Sequence, residues 1–293
     1  MKTIGLVLVA VAAVALCGCR RKPAAEPPVA TPSLTLSKPK APLGSPIDIT
    51  YRFDVAPDAP PFKEAYRVFV GVVDSDDELM WNEDHNPPIP TTEWKPGQKI
   101  EYTRTVFIPI YPYIGEASIH VGLHSVASQQ RLSLAGQDAG QHAYRVAKFQ
   151  ILPQTENVFT VFKEGWHVAE TALHNAAVEW QWTKKSATLA FKNPKTDSVF
   201  YFEVDNPSGV FPEGQHVQLT LAHQVLAEFT LQPNKQILHK IPITPAQLGA
   251  AEMVDVQIEV DKTFVPALLP GSTNKDPREL GIRVFHAFVE PKK

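Results

Sequence analysis

IDITYRFDV, residues 47–55, alternates strictly. Ile47, Ile49, Tyr51, Phe53 and Val55 take one side of an extended chain, and Asp48, Thr50, Arg52 and Asp54 take the other. A period of two buries one set and wets the second, the mark of a half-buried β-strand. The same pattern, or a short apolar run bounded by turn residues, recurs at 66–73, 100–108, 117–123 and 144–152. A second set starts near Phe159 and includes 178–182, 187–191, 199–204, 217–221, 225–231, 237–241, 254–260 and 282–289. Strands of this length separated by turn clusters predict an antiparallel sandwich rather than βαβ units. No amphipathic helix of ordinary length appears after residue 19. Thr244–Gly249 reads as a single helical turn, with Thr as cap, Pro245 at the first position and Gly closing it.

The strand pattern breaks near Pro153-Gln154-Thr155-Glu156-Asn157. The expected fold is therefore all-β, two tandem antiparallel β-sandwiches spanning 34–153 and 154–293. Each half is long enough to bury about two thirds of its unfolded surface without a disulfide. The 293 residues carry 27 Pro against 15 Gly, with 44% hydrophobic residues, which suits a folded body with stiff turns. Net charge is −3, so there is no basic surplus to neutralise phosphates and nucleic acid is not an expected partner.

The beginning of the chain carries a different signal. Lys2 precedes a wholly apolar run at residues 4–16, followed by Leu16-Cys17-Gly18-Cys19. The run suits a secretory signal and is too short for a ~30 Å hydrocarbon core. LCGC resembles the bacterial lipobox, with Leu three residues before the modified Cys and a small residue just before it. The resemblance implies cleavage after Gly18 and acylation of Cys19, with two or three chains giving stable anchoring. Arg20, rather than Asp, follows Cys19, which under the enterobacterial sorting rule points to the outer membrane. Residues 1–18 are then the signal peptide. RRKPAAEPPVATPS, with four prolines, forms most of a tether over 19–33 that favours extended polyproline II. Loss of Cys17 and acylation of Cys19 leave no thiol for catalysis, disulfides or metal binding.

Two further resemblances cover most of residues 45–290. In the first half, Asp84, His85, Pro87, Pro88, Pro90, Trp94, Pro96, Gly97, Tyr102, Arg104 and Thr105 resemble an Ig-like module of bacterial envelope proteins. In the second, GWHVAE (165–170), EWQWT (179–183), VDKTFVPA (260–267) and DPRELGI (276–282) resemble carbohydrate-binding-like sandwiches appended to envelope glycosyltransferases. Gln181 stands where that pattern often has Arg, Ser272 comes one residue early, and Ala222-His223 replaces the usual Asn-Gly turn. Neither pattern brings catalytic residues with it.

Trp166, Glu170, Trp180, Trp182, Asp276 and Arg278 form the leading candidate site. Sugars present C–H faces to aromatic rings and hydroxyls to carboxylates and guanidinium groups, and this set holds that mixture. The alternative is architecture, because Trp180 and Trp182 share one strand face and Arg278 has Asp276 and Glu170 as partners. Trp81, Glu83, Asp84, His85 and Trp94 form a second cluster, able to ligate a metal or to be a proline-stiffened loop pinned by Trp94. Asp74, Asp76, Asp77 and Glu78 lack the glycine and distant glutamate of an EF-hand and read as a solvated turn. His120 and His124, ~13 Å apart on one strand face, read as solvent-facing. Tyr111-Pro112-Tyr113 is either an exposed contact or strand-end packing. No metal and no cofactor is expected.

There is no G-x-S-x-G, H-E-x-x-H or Walker loop. The expected function is non-catalytic: an outer-membrane lipoprotein that binds surface or periplasmic polysaccharide or helps its assembly. The alternative is a protein-interaction scaffold of an envelope complex. Its partners would be membrane lipid through Cys19, with polysaccharide or envelope proteins.

Overall fold

A computed structural model describes residues 26–173, 175–206 and 209–292. The expected signal peptide, Cys19 and the expected tether up to residue 25 lie outside the described residues. Strands dominate, and among the described residues no helix is long and apolar enough to cross a membrane.

The first unit holds β1 (Ala30–Leu36), β2 (Lys40–Pro42), β3 (Pro46–Val55), β4 (Tyr66–Val73), β5 (Leu79–Asn82), β6 (Lys99–Phe107), β7 (Gly115–Ser125), β8 (Gln137–Asp138) and β9 (Tyr144–Leu152). One sheet runs β1-β3-β6 and the other β2-β9-β7-β4-β5, with β8 also on β9. β2 joins β9 in parallel, and the other ladders between these strands are antiparallel. Ile47, Ile49, Tyr51, Phe53 and Val55 all face the core, as their alternation requires. β7 is flanked on both sides and has both faces covered, so it reads as a nearly continuous buried run.

The second unit holds β10 (Thr160–Phe162), β11 (Glu170–Ala172), β12 (Asn175–Trp182), β13 (Ser186–Lys192), β14 (Ser198–Asp205), β15 (Gln215–Leu221), β16 (Gln224–Leu231), β17 (Ile237–Ile243), α1 (Pro245–Leu248), β18 (Met253–Val260) and β19 (Arg283–Pro291). Its sheets are β10-β13-β18-β15-β16 and β11-β12-β19-β14-β17. Leu189, Phe191, Phe200, Phe202, Val217, Leu219, Val256 and Ile258 fill the space between them. The turn joining β15 to β16 places Ala222 at φ 47° and His223 at φ 67°. Both are left-handed, the conformation that Asn-Gly adopts at lower cost. α1 has a full capping box between Thr244 and Gln247, with Pro245 in the first turn.

Two expectations differ from the structure. Residues 30–33, read as tether, are the first half of β1 and pair with β3 from Ala30↔Val55 to Ser33↔Arg52. β1 is an edge strand, where a proline that lacks a ladder donor is tolerated, and Ala30 and Pro32 are both buried. His120, read as solvent-facing, is only 6% exposed. Its cross-strand partner Arg145 sends Nη2 to Asp77 Oδ1 at 2.6 Å, and the β4–β5 turn thereby closes over it. Burial first, and Arg145 second, hold the His120 imidazole below its ordinary range. His124 is half-buried and bridges Arg131.

The two units meet through outer sheet faces. Lys240 Nζ lies 2.8 Å from Asp48 Oδ1, and Lys38 pairs with Glu290. On the same faces the Phe107 ring stacks on His286, with centroids 3.7 Å apart, and meets Tyr201 and Phe288 edge-on.

Candidate functional site

The chain between β18 and β19 does not return by a short turn. Residues 261–282 cross over the end of the β11-β12-β19 sheet and fold back on themselves. Phe264 and Leu280 exchange backbone hydrogen bonds of 3.0 and 2.8 Å, and Ala267 N donates to Asp276 O at 3.0 Å. Gln215, fully buried, pins both ends of this crossing: its Nε2 donates to the carbonyls of Lys262 (2.6 Å) and Gly281 (3.3 Å). Gly281 is held against β12, where an added Cβ would stand 2.4 Å from Thr183 Oγ1 and 2.6 Å from Lys184 O. Only glycine fits there.

Side chains then descend in steps of two. Ser272 Oγ accepts from Asn274 N, Asn274 Oδ1 from Asp276 N, and Asp276 Oδ1 from Arg278 N, at 3.1, 2.9 and 3.0 Å. Each short polar side chain bonds the backbone two residues on, so the segment holds its shape without a regular element. Together with Trp182, Phe264, Pro266, Leu269, Leu280 and Glu170 it encloses a cleft of about 320 Å³.

Arg278 is the centre of the cleft. Its Nε lies 3.0 Å from both Asp276 carboxylate oxygens, and its Nη2 lies 2.6 Å from Asp276 Oδ2 and 2.7 Å from Glu170 Oε1. The Glu170 contact is an ion pair rather than an aligned hydrogen bond. None of these contacts uses Nη1. The Arg278 guanidinium holds the Asp276 carboxyl below its usual range, and the Asp276 bonds, with Glu170 after them, push the arginine further up. All three side chains keep solvent contact, at 35%, 32% and 20% for Arg278, Glu170 and Asp276.

Four of the six residues of the leading candidate site thus line one cleft: Glu170, Trp182, Asp276 and Arg278. Trp166 does not. It packs against the core of the second unit, its indole N–H donates to Thr188 O at 2.8 Å, and Phe162 meets it edge-on. Trp180 and Trp182 do share a face, and it is the outer one, since Gln181 between them pairs with core-facing Val284. Trp182 is nevertheless only 7% exposed, because the 261–282 crossing covers it, with Phe264 edge-on at 5.8 Å. Trp180 is half-buried beside Phe285, with the Arg283 guanidinium 4.9 Å from its ring. Arg283 is itself clamped by buried Asp205 through bonds of 2.8 and 2.6 Å. Phe264, Pro266 and Leu280 fall within the motifs at 260–267 and 276–282 but were not among the candidate site residues, and Leu269 and Asn274 fall outside both motifs. The alternation of polar side chains at 272, 274, 276 and 278 was the available signal.

The second cluster comes apart. Trp94 is buried against Phe53 and Phe62, and its N–H donates to Ile89 O, which pins the proline-rich loop. Asp84 Oδ1 turns to the backbone N–H of Val70, away from a joint site with His85. His85 is buried, with Nδ1 2.9 Å from Glu83 O and Nε2 2.8 Å from Tyr102 Oη. Burial pushes His85 down to about 4 and Glu83 up to about 7, the latter despite the opposing pull of Arg104. Trp81 and Glu83 border the core at the β5 edge. Asp74 Oδ1 caps Asp76 N and Glu78 N, so the acidic stretch is a self-bonded turn. Among the described residues no group of three His, Cys, Asp or Glu is placed to hold a metal. Tyr113 donates its hydroxyl to Glu116 O, whereas Tyr111 is 38% exposed.

No family model matches the chain, and no curated protein matches it. Solved structures overlap it loosely. The alkylpurine DNA glycosylase AlkC of Pseudomonas fluorescens matches 43% of the chain at 13% identity and TM-score 0.28. The secreted serine protease VesC of Vibrio cholerae matches 89% at 11% identity and TM-score 0.26. The CBM22-1–CBM22-2 tandem domain of Paenibacillus barcinonensis Xyn10C matches 85% at 10% identity and TM-score 0.29. The chain spans 31%, 51% and 80% of these three structures. Overlaps this loose carry no conclusion about activity.

Proposed function

We propose that this chain is a lipid-anchored, non-catalytic component of a bacterial cell envelope, held at the outer membrane through Cys19, that binds polysaccharide in the cleft of its second sandwich. One observation carries the binding reading: Arg278 is held between Asp276 and Glu170, in a cleft that Ser272, Asn274, Trp182 and Phe264 also line. Carboxylates accept from paired hydroxyls, the guanidinium Nη1 and the Asn amide donate, and aromatic and proline carbons meet C–H faces. The hydrogen bonds within 272–278 set these groups before any ligand arrives, which lowers the ordering cost of binding.

The test is a glycan array probed with the full-length chain. Retention of at least one polysaccharide class, lost in Arg278→Ala and kept in Trp166→Phe, is the expected result. Binding that survives Arg278→Ala overturns the assignment of this cleft. The scaffold reading draws on Ile110 and Ile114, 71% and 56% exposed on either side of Tyr111 and Tyr113. It predicts a blank array and an envelope protein retained by the wild type but not by Ile110→Asp.

A further inference from the structure

Resting on the glycan reading, the charge arrangement of the cleft says which glycans it takes. We infer that the cleft is selective for neutral or amine-bearing sugars and excludes acidic ones.

Arginine recognises a carboxylate or sulfate by presenting two parallel N–H groups from one edge of its fork. In Arg278 the Nε–Nη2 edge is already filled by Asp276, and Nη2 also meets Glu170. An acidic sugar would have to displace one of these carboxylates or approach Nη1 alone. The trio of Glu170, Asp276 and Arg278 carries one net negative charge. Glu279 follows directly, its Oε1 accepting from Thr263 Oγ1 at 2.7 Å, and adds another beyond the Phe264 wall.

Nearby cations do not reverse the sign. Lys262 is committed to Glu213 and lies 3.8 Å from Asp261. His167 has its Nε2 2.7 Å from the carbonyl of Glu279, and Lys275 is exposed. The wider field agrees. Of the 28 Lys and Arg, four (Lys2, Arg20, Arg21 and Lys22) precede residue 26, whereas all 31 Asp and Glu lie from Glu26 onward, leaving −7 on residues 26–293. Such a body repels polyanions at long range. An ammonium, by contrast, meets two carboxylates, and an uncharged diol meets acceptors that need no counter-ion.

The experiment uses the full-length chain on matched oligosaccharides that differ in charge alone: hexose, hexosamine and hexuronate oligomers of one linkage, and a sulfated hexose series. Neutral and amino members should bind at least about tenfold more tightly than their acidic counterparts at low salt, the size of one unscreened like-charge contact across a solvated cleft. The gap should shrink at 0.5 M salt, a readout that needs no variant. Glu170→Gln should narrow it further by raising the affinity of the hexuronates. Hexuronate or sulfated oligomers bound as tightly as the neutral ones would overturn this selectivity while leaving glycan binding standing. Retention of none of the four series would take down the glycan reading itself.

Discussion

The two sandwiches place the same ingredients, an arginine and nearby carboxylates, in opposite situations. In the first, Glu83 sits at the inner edge of the core with Arg104 near enough to be felt, and desolvation still wins, lifting its proton affinity to about 7. In the second, Asp276 sits on an open rim with Arg278 at 2.6 Å, and the contact wins, holding the aspartate ionised. Burial without close pairing neutralises a carboxylate, whereas close pairing at a wet surface keeps it charged. Charge on the outer face is available to a ligand, and charge at the core edge is a matter of stability.

A third pair, Asp205–Arg283, is close, with Asp205 buried and Arg283 partly covered, and should give the largest effect. Asp205→Ala leaves Arg283 uncompensated beside Trp180, and we expect a loss of about 3–5 kcal/mol in denaturant unfolding. A loss below 1 kcal/mol would put this pair in the same class as the cleft. Next comes the pH dependence of the first sandwich. Glu83 stays protonated in the folded chain up to about 7 but ionises near its ordinary 4.5 when unfolded, so it costs stability as pH rises between those values. His85 works oppositely: neutral in the folded chain down to about 4, protonated below 6.5 when unfolded, it adds stability as pH rises through that window. The two slopes offset each other. Glu83→Gln should expose the His85 slope, and the variant should gain about 3 kcal/mol from pH 4 to 6.5, more steeply than wild type. Parallel profiles for the two proteins would show that Glu83 is not held neutral. The smallest effect belongs to the cleft. Arg278→Ala should change stability by no more than about 1 kcal/mol, as for other solvent-touched pairs, so any loss of glycan binding reads as loss of the site.

Much of this was legible in the chain. Alternation at 47–55 needed only a period of two, and the capped turn at 244–249 carried its cap, proline and glycine in order. The grouping of Glu170, Trp182, Asp276 and Arg278 followed from residue chemistry, although 106 positions separate Glu170 from Asp276. What was hidden depends on partners supplied by the fold. Trp166 has the composition of a site residue, but a backbone carbonyl at Thr188 and the core beneath claim its ring. His120 alternates like a surface residue, yet a turn some forty residues earlier covers it. Gln215, which holds the crossing segment in place, looks like any polar strand residue until both its carbonyl partners are seen.

The early start of β1 bears on reach. If lipid holds the chain at Cys19, only residues 19–29 lie between the anchor and the first strand, and eleven residues cannot extend beyond about 40 Å. The body would then work on a short leash close to the bilayer surface. It would capture polymers that pass near the membrane, and strands farther out would have to come to it.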